Sequence, residues 1–287
     1  MAKEKPVPKI KLRTMHGAHW YEVNGEQYPS VTTILSVYPR LGLYKWQAEV
    51  GLEKAREISS KAANEGTIIH NHISEMILHP SMAIDNSSWN NNLNKMMNGW
   101  FQFLDMYQPT ILSTEETLYS ASKRFAGTLD LVVTIPEDHK KVKAGKYIVD
   151  IKTATSLHQD YEIQGAAYRE MYKEMHGEDC QFAILWLKKT AKKKHFQLVP
   201  IPTDGKFKVF EACYDLWNFN FDNPAGPSSK DSYEGRGYQL DHNSMTKYTD
   251  NIDLRGDIAR AEVEVEEIEK AIEKETEAVE PEEKQAT

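Results

Sequence analysis

Two short apolar runs, rich in β-branched residues, set the strongest pattern in the chain. The first is Leu131-Val132-Val133-Thr134-Ile135 and the second is Tyr147-Ile148-Val149. Residues 136–145 between them are polar, with Pro136 at one end and Gly145 at the other. Two such runs around a turn-rich segment predict a β-hairpin. An antiparallel pair centred near residue 140 sets Asp130 beside Asp150. Asp150 and Lys152 are two apart and so share a face of their strand.

Around this hairpin the pattern predicts further elements. His19 to Tyr28 reads as a smaller hairpin turning at Asn24-Gly25. Ser30 is placed to cap a helix that begins VTTILSVY. Residues 44–78 are predicted as helix. From Trp89 to Tyr107 the helical spacing returns, with Trp89, Leu93, Met96, Met97, Trp100 and Leu104 as a core stripe. Residues 110–120 read as a strand, 161–172 as a helix, and 181–187 and 195–200 as two more strands. Phe207 to Phe219 closes the series as an amphipathic helix with Val209, Phe210, Cys213, Leu216 and Trp217 on one side. Helices, three strands, a helix and two strands make an α/β protein: a central mixed sheet flanked by helices, after a helical N-terminal region.

Outside this body the character changes. Residues 1–18 start basic and are expected to be mobile; 19–221 hold the folded domain. Residues 222–253 are rich in Gly, Ser, Pro and Asn and read as a linker. Residues 254–287 form an acidic helical tail. Its seam of Ile258, Ala261, Val265, Ile268 and Ile272 breaks at Glu275, short of a full coiled coil. A solvated helix, a helix that docks on a protein partner, and self-association through it all fit this seam.

Composition narrows the function classes. The chain has 287 residues, 40% hydrophobic and 27% charged, which is ordinary for a globular protein. Cys180 and Cys213 are its only cysteines, too few for a disulfide framework or a four-cysteine iron–sulfur cluster. A reduced, cytoplasmic setting fits, in a bacterium or a phage-infected host. No apolar run approaches a membrane span, and no Gly-rich loop ending in Lys-Ser/Thr indicates ATP binding. The net charge of −8 is unevenly spread. Residues 254–287 carry 12 acids and 5 bases, leaving 30 bases and 31 acids in residues 1–253. A nucleic-acid site must then be a local groove.

Candidate chemistry lies at the end of the main hairpin. Two acids and a lysine on strands built for burial need compensation. A divalent cation is the simplest, since hard cations take carboxylate oxygens, and the Ile151 carbonyl could add another. Lys152 beside two carboxylates should stay protonated, which favours an electrostatic role over that of a general base. Basic side chains that could touch phosphate are Arg40 and Lys45 near the start of the long helix, and Lys188, Lys192, Lys193 and Lys194 in the turn between the last two strands.

Asp130, followed by Asp150-Ile151-Lys152, resembles the signature of the PD-(D/E)XK nuclease superfamily. Gly66-Thr-Ile-Ile-His70 is similar to that family's first motif, with a glycine four residues before a histidine. Gln164 and Tyr168, four apart on a helix, resemble the Q-x-x-x-Y motif of the RecB-type exonuclease branch, which includes phage exonucleases and the mitochondrial genome maintenance exonuclease. YPSVTTIL and Leu43-Tyr-Lys-Trp46 resemble the N-terminal part of that branch, and Glu115 matches a glutamate often found there. The resemblance covers roughly residues 20–220. It implies a restriction-endonuclease-like core and one or two Mg²⁺ or Mn²⁺ ions held by Asp130, Asp150 and the Ile151 carbonyl, with His70 and Glu115 near the second position. It also implies hydrolysis of DNA, single-stranded or at ends, in recombination, repair or phage DNA processing, with Gln164 and Tyr168 associated with the active site. A structure-specific endonuclease of the same fold and a non-cutting nucleic-acid-binding protein remain open.

Overall fold

Five strands form the central sheet, in the order β4-β5-β6-β7-β8. They span Thr110–Ser120, Phe125–Ile135, Gly145–Lys152, Gln181–Leu187 and Phe196–Pro200. All neighbours are antiparallel except β6 and β7, which run parallel. The structure is a computed structural model, and residues 10–15, 18–81, 86–87 and 89–222 are described. The linker and the acidic tail predicted from the sequence lie outside the described residues.

The main hairpin has the register its symmetry predicts. Leu131 faces Val149, and the pairs run on to Ile135 against Gly145. Continuing this ladder by one residue brings Asp130 level with Asp150. Parallel pairing with β7 then fixes Lys152 opposite Trp186. A parallel connection needs a crossover, here provided by α5, Asp160–His176.

Three helices pack on the sheet's two faces. On one lie α3, Leu52–Leu78, and α4, Asn91–Tyr107. They set Ile69, Ile73, Met96, Met97, Trp100 and Phe103 against Leu131, Val133, Val149, Ile151, Leu185 and Leu187. Each large side chain buried here contributes about 1.5–3 kcal/mol. Asn90 starts α4 by accepting a hydrogen bond from the Leu93 N–H at 3.0 Å. The alternate face carries Val132, Ile148, Phe182 and Ile184, all buried, and there Gly165 of α5 meets the Phe182 ring.

The N-terminal region differs from expectation. The start expected to be mobile contributes a strand, β1, Ile10–Met15. It pairs with β2, Ala18–Val23, which pairs in turn with β3, Glu26–Pro29. The β2–β3 turn at Asn24-Gly25 has both residues at positive φ, 53° and 90°, as a two-residue hairpin requires. Ser30 caps α1, Val31–Ile34, by accepting from the Thr33 N–H. A parallel bridge between Ser30 and Ala126 joins this region to β5.

The helix predicted over 44–78 is two helices. α2, Leu41–Val50, ends at Gly51, whose φ of 86° breaks the helical path before α3 begins. At the far end, α6, Phe207–Asp222, buries Phe210, Cys213 and Trp217. Val209 and Leu216, expected on that buried side, are exposed: the covered stripe is narrower than the apolar one. No helix among the described residues is long and apolar enough to cross a membrane.

Candidate metal centre

Each of three adjacent strands brings one acid to the same level of the sheet, midway along β4 and β5 and near the end of β6. Glu115 comes from β4, Asp130 from β5 and Asp150 from β6. In the β4–β5 ladder the paired residues skip from Thr114/Leu131 to Glu116/Leu129, so Glu115 and Asp130 occupy the gap. Glu115 has φ 50°, in the left-handed region, where a non-glycine residue costs about 1–3 kcal/mol. Its neighbour Glu116 points elsewhere and meets His176 Nε2 at 2.7 Å.

His70 reaches this row from α3. Its Nδ1 lies 3.3 Å from Asp130 Oδ1. Asp130 Oδ2 accepts a hydrogen bond from the Ile151 N–H at 2.6 Å. One donor atom each from His70, Glu115 and Asp130 lie within 4.8 Å of one another. An imidazole nitrogen and two carboxylate oxygens suit a divalent cation that accepts hard ligands. The packing beside His70 is close: a side chain at Gly66 would come within 3.1 Å of Thr153 Oγ1. His72 turns away, its Nδ1 on the Ile68 carbonyl at 2.7 Å and its ring edge-on to Trp89.

Asp150 is 4% exposed and forms an ion pair with Lys152 Nζ at 2.7 Å. Lys152 Nζ also lies 4.8 Å from the centre of the Tyr161 ring. On α5, Gln164 Nε2 donates to the Tyr168 hydroxyl at 3.2 Å, and both residues are buried. Gly127 leaves room for that tyrosine, because a side chain there would approach Tyr168 Cε1 to 2.7 Å.

The charges of these groups act on one another. Burial pushes the Asp130 carboxyl up, but His70, Lys152 and the Ile151 N–H outweigh it and leave the group below the usual aspartate range. Asp150 is raised, first by burial and then by the charge on Asp130, with Lys152 opposing. Burial works against the Lys152 ammonium, yet Asp150 and Asp130 hold its pKa above the ordinary lysine value. His70 is likewise raised, Asp130 overcoming the burial penalty. Glu115 is raised by burial and by Asp130. Burial and the nearby Asp150 charge lift Tyr168 well above the ordinary value, so its hydroxyl stays neutral.

Other residues singled out from the sequence are spread more widely. Arg40 pairs with Asp160 Oδ2 at 3.0 Å, next to Tyr161. Lys45 is exposed on α2. Lys188 Nζ bonds Gln197 Oε1 at 2.7 Å, and Lys194 Nζ lies 4.9 Å from the Phe196 ring centre. Lys192 and Lys193 are exposed, and the Lys193 carbonyl accepts from Gln102 at 3.0 Å. Tyr161, in contact with Lys152, is not among the residues expected at the site. Its signal was its spacing, since Tyr161, Gln164 and Tyr168 follow one helical face.

No family model matches the chain, and no curated protein matches it. Among solved structures, it is similar to a protein of Eubacterium rectale named as a candidate exonuclease. That match has 15% identity and a TM-score of 0.42, and covers 67% of this chain and 80% of the other. A second, SSO0001, has 10% identity and a TM-score of 0.30, covering 65% of this chain and 75% of the other.

Proposed function

We propose that this chain is a metal-dependent nuclease of the PD-(D/E)XK type, of the RecB-like branch, hydrolysing phosphodiester bonds in DNA at strand ends. The observation that carries this reading is the row of Glu115, Asp130 and Asp150 on adjacent strands, with Lys152 paired to Asp150 and His70 closing on Asp130.

Asp130, Glu115 and His70 would hold a Mg²⁺ or Mn²⁺ ion, with Asp150 and the Ile151 carbonyl completing or sharing the set. Such an ion lowers the pKa of its bound water and offsets charge on a phosphate. Lys152 supplies a fixed positive charge beside that position. Because it stays protonated, it can orient an attacking water and stabilise negative charge developing on the phosphoryl oxygens, but it does not remove a proton. The Tyr161 ring beneath its ammonium and the Asp150 carboxylate hold it in place. Gln164 and Tyr168 present neutral hydrogen-bonding groups near Asp150. Arg40, Lys45 and the lysines of the β7–β8 turn supply positive charge for the backbone of the strand.

The test compares linear and covalently closed circular single-stranded DNA with Mg²⁺ or Mn²⁺, using Lys152→Ala as control. Loss of the linear strand alone, abolished in Lys152→Ala, is the expected result. Cutting of the circle as well would make the enzyme an endonuclease. Absence of cutting with DNA binding retained would mark a binding protein and overturn the catalytic roles above.

A further inference from the structure

At the outer edge of β8 lies an open cavity of about 470 Å³. Lysines from two distant stretches converge on it: Lys140 and Lys141 from the β5–β6 connection, and Lys188 and Lys194 from the β7–β8 turn. No acidic residue lines it. Lys188 and Lys194 are steadied by neutral groups, the Gln197 amide and the Trp186 ring for one and the Phe196 ring for the other. Lys140 and Lys141 are exposed. Among the described residues none of the four lysines has a carboxylate partner. Their positive charges therefore meet no acidic side chain in the cavity wall, in a chain whose net charge is −8. The cavity wall also holds His139, whose Nε2 is buried without a hydrogen-bond partner while its ring packs on Tyr107 at 4.3 Å.

Position ties this cavity to the candidate metal centre. Lys152 pairs in register with Trp186, and Lys188 follows two residues later on the same strand's end. Adjacent strands are about 4.8 Å apart. On the nuclease reading, a nucleic-acid strand that crosses β6 and β7 from the acid row would come to Lys188, which belongs to the cavity wall. We infer that this cavity is a second phosphate-binding site. It holds the backbone of a nucleic-acid strand away from the bond being cut, through Lys140, Lys141, Lys188 and Lys194. The inference rests on the nuclease reading for the strand's path, but its own contact is electrostatic and independent of cleavage.

The experiment measures anisotropy of a short and a long labelled oligothymidylate, with Ca²⁺ replacing Mg²⁺ to suppress cutting. Wild type is compared with Lys140→Glu/Lys141→Glu. The double variant should bind the long strand about tenfold more weakly, with a salt dependence shallower by roughly 0.7 for each phosphate that is no longer neutralised. Binding of the short strand, and its cleavage in Mg²⁺, should not change. A thermal melt equal to that of wild type establishes that both lysines are replaced in a folded protein. Equal affinity and salt slope for the long strand in both proteins would overturn the inference, as would wild type binding neither strand. Weakened long-strand binding in a protein that cuts nothing would support the cavity while refuting the nuclease reading.

Discussion

His70 Nδ1 lies 3.3 Å from Asp130 Oδ1, joining the middle of α3 to the row of acids on the sheet. Without a divalent ion the imidazolium is the nearest counter-charge to that carboxylate. Its pKa is raised above the ordinary 6.5 because the attraction of Asp130 exceeds the burial penalty. A raised folded-state value means that His70 adds stability below pH 6.5 and that this is lost as pH rises through the folded value. In the metal-free protein, an NMR titration of the imidazole should place His70 above 6.5. Asp130→Asn should lower it, and saturating Mg²⁺ should drive off its proton. An imidazole titrating at or below the ordinary value, unmoved by Asp130→Asn, would mean that this pairing is absent in solution.

A second charge pair supports α3 from the turn between β7 and β8. Lys189 Nζ bonds Glu65 Oε2 at 2.8 Å, and Asn90 and Asn92 donate to Glu65 Oε1. Removing one partner leaves a buried charge uncompensated, which costs about 3–5 kcal/mol. Glu65→Gln should therefore lower the urea midpoint at neutral pH far more than an exposed Glu→Gln change. Burial raises the Glu65 carboxyl, but Lys189 and the two asparagines bring it below the ordinary 4.5. Its stabilising contribution is accordingly present above that value and fades as pH falls through the lower, folded one. The difference between wild type and Glu65→Gln should shrink in acid. A difference that is small at neutral pH, or that grows in acid, would mean that Glu65 and Lys189 are not paired in solution.

Gly165 carries the approach of α5 to β7. A side chain there would overlap the Phe182 ring. Alanine gains about 1 kcal/mol of helix propensity over glycine, whereas overpacking costs about 1–3 kcal/mol and sometimes more. Gly165→Ala should thus be net destabilising in a thermal melt and should lower activity by displacing the adjacent Gln164. A stabilised and fully active Gly165→Ala would show that the helix has slack against the sheet.

Much of the centre was legible because it depends on local rules. The two apolar runs, bounded by Pro136 and Gly145, were enough to set a register symmetric about residue 140, as Leu131 against Val149 shows. Ser30 as a cap and Asn24-Gly25 as a turn are likewise local chemistry. Residues whose conformation depends on tertiary contacts were not legible. Nothing in a strand sequence marks Glu115 for a positive φ opposite Asp130. The Glu65–Lys189 pair joins residues 124 positions apart, so nothing in the lysine-rich turn itself marks Lys189 as mostly buried. Gly51 sat inside a good helical pattern, and its break reflects a positive φ that glycine alone adopts readily. β1 was readable after all: Ile10, Leu12 and Thr14 alternate with Lys11 and Arg13, a signal hidden by the basic residues around it.

The proposed function places a divalent cation among the acids on β4, β5 and β6 and His70. Titration of Mn²⁺ followed by electron paramagnetic resonance tests it without reference to substrate. Wild type should bind Mn²⁺ with Mg²⁺ competing, and Asp130→Asn should weaken binding tenfold or more, about 1.4 kcal/mol. Glu115→Gln should weaken it in the same direction, and affinity in wild type should fall with pH as the carboxylates and His70 take up protons. Equal Mn²⁺ binding by wild type, Asp130→Asn and Glu115→Gln, or none by wild type, would mean that these residues do not hold a divalent cation.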